Sequence, residues 1–127
     1  MTGSNALRGG CVILGGGGHA KVVLEALRLR EPRLECIAVD ADRSRWGRKL
    51  LDVCIVGGDG DLAEWLDKGD PNFAVGGGGG GDNALRRHLF ELAISCGLAP
   101  VPVVHPSATV SSWAIIGKGV QLLSGCI

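Results

Sequence analysis

Short apolar runs along the chain end in glycine or an acidic residue, and between them the apolar residues recur every three or four positions. Val12–Leu14 is the first run, flanked by Gly, the form of a strand buried on both faces. From His19, Val22, Val23, Ala26, Leu27 and Leu29 recur at helical intervals, with Lys21, Glu25, Arg28 and Arg30 on the other side. Pro32 closes this helix, and Leu34–Asp40 predicts a second strand with an acidic end. "RSRWGRKLLD" is polar and loop-like, and Val53–Gly58 is a third strand. "DLAEWLDKG" predicts a helix with Asp61 as N-cap and Gly69 past its end. Asn72–Val75 gives a fourth strand, and "DNALRRHLFELAISCG" an amphipathic helix with Leu85, Leu89, Leu92 and Ala93 on one face. Asp82 or Asn83 caps that helix and Gly97 ends it; "APVPVV" then supplies a fifth short strand, its prolines suited to an edge.

This alternation predicts an α/β fold: a Rossmann-like parallel sheet with helices on both faces, because parallel strands need crossovers and the crossovers cover the sheet. After Val104 the period changes. Val104, Val110, Ile116 and Leu122 are six apart, and Ala108, Ala114, Val120 and Cys126 repeat at the same interval. Neither a helix nor a simple strand has that period, whereas a β-helical solenoid built of hexapeptides does, with Gly117, Gly119 and Gly125 at its bends. The predicted organisation is a leader over 1–10, a sheet domain over 11–103, and the first coil of a β-helix over 104–127.

Composition narrows the class. The 127 residues are enough for one domain with a core and the beginning of a second. Thirteen basic and thirteen acidic residues balance, without a basic block, so no nucleic-acid or anionic-membrane partner is expected. No run reaches the roughly 18 apolar residues of a spanning helix, and the start lacks a signal-peptide pattern, which predicts a cytoplasmic protein. The five cysteines are scattered, without a CxxC pair, so buried reduced thiols are expected and no metal.

The chemistry concentrates in "ILGGGGHAKVV". Gly15, Gly17 and Ala20 satisfy G-x-G-x-x-A between a strand and a helix, and Asp40 ends the next strand. Glycines let the backbone approach a pyrophosphate, amides at a helix start attract anions, and a strand-end carboxylate accepts ribose hydroxyls. Residue types alone leave the ligand open between a dinucleotide, another phosphate compound and a bare packing turn. His19 stands where a phosphate or sugar would come, or is simply a first-turn residue. Asp40 and Asp42 fit ribose or base recognition better than paired acid–base work. His88, beside Arg86 and Arg87, reads as a solvated surface residue, and His105 as a structural corner. A second glycine tract, "VGGGGGGDNALRR", also follows a strand and precedes a helix, so the two loops would frame one crevice.

Together "ILGGGGHAKVVLEAL", the "VD" of Val39 and Asp40, "VGGDGDL", "GDNALRRHL" and "VVHPSATVSSWAIIGKGVQLLSG" resemble the bacterial sugar-nucleotide acetyltransferases of the sialic-acid O-acetyltransferase type. The nearest likeness is to N-acetyltransferases of UDP- or GDP-linked 4-amino sugars. The resemblance implies a nucleotide-binding Rossmann-like domain, then a left-handed β-helix that trimerises and binds acetyl-CoA between subunits. It implies a nucleotide sugar, not NAD, at Gly15, Gly16, Gly17, Gly18 and His19, with Asp40 and Asp42 on the ribose or base side. Gly81, Asp82, Asn83 and Arg86 would form a second nucleotide-side loop.

Two departures from the family stand out. Six glycines precede Asp82, more than the family's "AIGDN" loop carries, and the sequence ends at Ile127, before the position of the family's catalytic histidine. The expectation is an acceptor-binding part of an acetyltransferase in surface-glycan synthesis that holds its nucleotide sugar without turnover, with no catalytic residue of its own. The alternatives are a stand-alone module for NAD or a related dinucleotide and a non-catalytic interaction or capping unit.

Overall fold

The computed structural model describes residues 9–69, 71–76, 83–104 and 121–122. The chain runs through β1 (Cys11–Leu14), α1 (Gly18–Arg30), β2 (Cys36–Val39), β3 (Lys49–Leu50), β4 (Val53–Gly57), α2 (Leu62–Asp67), β5 (Asn72–Val75), α3 (Asn83–Ser95) and β6 (Ala99–Pro100). A second, separate pair follows, β7 (Val103–Val104) and β8 (Gln121–Leu122). The main sheet has the order β3-β4-β2-β1-β5-β6. All its neighbours are parallel except β3 and β4.

The central strand explains the two-sided core. In β1, Cys11 and Ile13 pack on one face with Ala20, Val23, Leu24 and Leu27 of α1. Val12 and Leu14 point the other way, onto Leu62 of α2 and Leu89 and Ala93 of α3. Alternate strand residues serve opposite layers, so a strand covered on both faces is apolar at every position.

Most of each expected helix face is buried. On α1, Val23, Ala26 and Leu27 are buried as expected, joined by Ala20 and Leu24, while Val22 and Leu29 are exposed. On α3, Leu89 and Ala93 are buried and Leu92 packs against the core, while Leu85 is exposed. Asp61 is the N-cap of α2 as expected, but its carboxylate turns back to accept the amide of Gly58 at 3.1 Å, closing the short turn before α2, and makes no cap bond to α2 itself. The polar stretch after β2 contains β3, which pairs antiparallel with β4 through a tight turn where Leu51 has φ 56°. "APVPVV" is divided between two sheets, β6 closing the first and β7 opening the second. No disulfide joins the described cysteines; Cys11 is buried as expected, but Cys54 is exposed because it lies on the outward side of β4.

The second pair is short. Val103 faces Gln121 and Val104 faces Leu122 in parallel register, a separation of eighteen residues or three hexapeptides. The residues between them, with most of the hexapeptide pattern and His105, lie outside the described residues, as do the leader residues 1–8.

Candidate functional site

The chain leaves β1 for β2 on one side and returns as β5 on the other, so the strand order reverses at β1. In open α/β sheets ligands bind at the carboxyl ends of strands beside such a reversal. Leu14 and Val75 are register partners at that edge, and the amide of Gly76 donates to the Leu14 carbonyl at 2.7 Å. The two glycine segments therefore start side by side.

Gly15 has φ 102°, a left-handed conformation that a side chain disfavours, and it turns the chain from β1 toward α1. Gly17 is the N-cap of α1 and has no capping side chain, and the first turn carries no acidic residue. The first amides of a helix lack intrahelical acceptors, and the macrodipole adds a partial positive charge there. At Gly18 a Cβ would meet nothing within 4 Å, so this part of the loop is open. Gly76 shows the opposite requirement: its Cβ would lie 2.6 Å from Ala20 Cβ and 3.0 Å from the Gly15 carbonyl oxygen. α1 thus approaches the end of β5 at backbone distance.

Asp40, at the end of β2, is a buried charged residue with 7% exposure. Its Oδ2 accepts the Gly16 amide at 2.7 Å and Arg45 Nη1 at 3.0 Å, and its Oδ1 accepts the Asp42 amide at 2.8 Å. The indole Nε1 of Trp46 donates to the Asp40 carbonyl at 2.8 Å. A carboxylate offers about four lone-pair sites, so one on Oδ1 is left over. Asp40 thus holds the glycine loop from behind, a role distinct from the ribose contact expected of it. Asp42 is exposed and caps the short helical turn at Arg43–Arg45 through Ser44, whose amide and hydroxyl donate to Asp42 Oδ1 at 3.0 and 2.7 Å. Those two bonds hold the Asp42 carboxyl below its ordinary pKa, helped by the charges of Arg45 and Arg48.

The structure adds two side chains that motif reading missed. Arg45 Nη1 stands 3.4 Å from where a Cβ on Gly17 would be, placing a half-exposed guanidinium beside the loop. Gln121 of β8 donates from Nε2 to the Val75 carbonyl at 2.7 Å and faces His19 Nε2 with Oε1 at 3.0 Å. Only the basic character of "RSRWGR" was a signal for the first, and no local signal existed for the second.

Of the second loop, Gly81 and Asp82 lie outside the described residues, and Asn83 opens α3. Arg86 lines a cleft of about 280 Å³ with Val75, Arg87, Phe90, Val101 and Gln121. His88 is exposed, as expected. Among the described residues no group of His, Cys, Asp and Glu could hold a metal ion, and no helix is long and apolar enough to cross a membrane.

Sheet order and glycine loop define a Rossmann-like α/β domain with its open loop at the strand reversal. Residues 11–93 match the PglD N-terminal domain, and the chain belongs to that family. Among solved structures it is similar to a histidine-to-asparagine variant of perosamine N-acetyltransferase from Caulobacter crescentus in complex with CoA and GDP-perosamine. That match has 40% identity and a TM-score of 0.81 over 94% of this chain and 55% of the other. It is equally similar to PerB from the same organism with the same ligands, at 39% identity and a TM-score of 0.80, again over 94% and 55% of the two chains. The chain thus spans about half the length of these relatives. A Rex-family repressor, RSP, shares 13% identity over 92% of this chain and 52% of its own, with a TM-score of 0.57, which shows a common fold alone. No curated protein matches the chain.

Proposed function

We propose that the chain is the acceptor-binding part of an acetyl-CoA-dependent N-acetyltransferase, and that its glycine loop holds the diphosphate of a GDP-linked amino sugar. The observation that carries this reading is the open loop at Gly17 and Gly18, uncapped at the start of α1, with the Arg45 guanidinium beside it. Loop amides and helix dipole suit a diphosphate, and Arg45 adds a charged donor. The remaining lone pair of Asp40 Oδ1 is available to a ribose hydroxyl, with Asp42 beside it. The choice of guanosine over uridine rests on the similarity to proteins solved with GDP-perosamine. Gly81, Asp82, Asn83 and Arg86 form the second nucleotide-side loop in this reading.

The eighteen-residue register of β7 and β8 supports a β-helix after residue 103, since three hexapeptides make one coil. Acetyl-CoA and assembly as a trimer belong to that part in the family. The role proposed here for this chain is that of holding the acceptor. Such a substrate places the protein in the cytoplasm, in surface-glycan synthesis.

Isothermal titration with GDP-perosamine, a UDP-4-amino sugar and NADH tests the reading. Binding of the GDP-sugar and none of NADH is expected. Binding of NADH with no response to either sugar nucleotide would establish a dinucleotide module instead.

A further inference from the structure

Gln121 joins three elements through one carboxamide. A backbone carbonyl can only accept, so the 2.7 Å contact with Val75 fixes which end of the amide is nitrogen. Oε1 then faces His19 Nε2 at 3.0 Å, and an amide oxygen can only accept as well. His19 Nε2 therefore carries the proton, and in the neutral imidazole Nδ1 is the bare acceptor. His19 lies in the first turn of α1, Val75 ends β5, and Gln121 stands opposite Val103 in the second sheet.

From this we infer that Gln121 is a positioning residue: it fixes the tautomer of His19 and ties the second sheet to both elements that border the glycine loop. A consequence follows for the ligand. In its neutral form His19 offers a bound sugar nucleotide only the bare Nδ1, so the bond that form makes to the ligand is one it accepts, from a hydroxyl or amino group. The part concerning the ligand rests on the proposed nucleotide-sugar reading; the tautomer does not.

Long-range ¹H–¹⁵N correlation spectra of the ligand-free protein at pH 8, with the His19 signals assigned from a His19→Gln variant, read the tautomer directly. A ring protonated at Nε2 is expected in the wild type. Gln121→Met removes both bonds at similar volume, and should give a mixture of tautomers together with roughly fivefold to tenfold weaker GDP-sugar binding by titration. Gln121→Glu keeps an acceptor for His19 while losing the donor to Val75, and should retain the Nε2–H form, which keeps the test available if the methionine variant does not fold. His19 protonated at Nδ1 in the wild type or in Gln121→Glu, or a tautomer unchanged in Gln121→Met, overturns the inference. A shifted tautomer with unchanged affinity overturns its extension to the binding site. Wild-type protein that binds no sugar nucleotide yet shows the expected tautomers defeats the functional reading and leaves the positioning role standing.

Discussion

The amide of Gly16 donates to Asp40 Oδ2 at 2.7 Å across 24 positions of sequence. That bond ties the glycine loop after β1 to the end of β2, and it explains why a carboxylate is buried at the strand end. Desolvation of Asp40 is offset by two backbone amides and the Arg45 guanidinium.

Asp40→Asn should therefore destabilise the protein although it preserves shape. Donors face both carboxylate oxygens, so an amide nitrogen meets a donor whichever way it is turned. The expected cost is about 2 kcal/mol, the scale of a lost bond to a charged acceptor. Arg45→Ala, which removes a half-exposed and hydrated guanidinium, should cost under about 1 kcal/mol. Urea midpoints compare the two, and equal losses would contradict the assignment.

Glycines near the loop are required for different reasons. A Cβ on Gly76 would come within 2.9 Å of Ala20 Cα and 3.0 Å of the Gly15 oxygen, backbone atoms that cannot yield locally. One on Gly16 meets Ile55 Cδ1 at 2.5 Å, the free end of a flexible side chain. Gly76→Ala should cost about 3 kcal/mol and Gly16→Ala about 1 kcal/mol, the two ends of the range for overpacking. Thermal or urea unfolding giving the reverse order would show that α1 does not approach β5 as described.

A third expectation concerns acid. Arg28 of α1 hydrogen-bonds Asp52 in the turn between β3 and β4. This bond holds the Asp52 carboxyl below its ordinary pKa, outweighing the opposing effect of desolvation. A carboxyl depressed in the folded state contributes stability above its unfolded pKa of about 3.9, and the contribution disappears as pH falls through the lower folded value. Wild type should exceed Asp52→Asn by a constant small margin between pH 7 and 5, and the margin should close below about pH 4. Urea midpoints at several pH values measure it; a margin that persists at pH 2 would assign the effect to packing.

The sheet was legible because its strands are covered on both faces: Cys11 to Leu14 could be apolar throughout only if alternate residues served two cores. The hairpin of β3 and β4 was not, because Leu51 occupies a left-handed turn position where Asn or Gly would have been the signal. Helical period told which residues of α1 share a side but not how much of the stripe is covered, so Val22 and Leu29 were placed in the core and lie outside it. Gly15 to His19 and Asp40 were marked by spacing. Their mutual geometry was not, since the Gly16–Asp40 bond and the Gln121–His19 contact span 24 and 102 positions. Such contacts exist only once the sheet is assembled.

Gly18 separates folding from binding. It occupies the first position of α1, and a Cβ there meets nothing, so alanine should be accommodated and should favour the helix by about 0.5 kcal/mol. The same methyl group would stand in the open space beside the first helix amides, where the proposed diphosphate must approach the backbone. Gly18→Ala should accordingly raise the urea midpoint while weakening GDP-sugar affinity by roughly tenfold, about 1.4 kcal/mol. Opposite signs for stability and affinity are the mark of a glycine kept for its ligand. An affinity unchanged in the more stable variant would place the diphosphate away from this part of the loop.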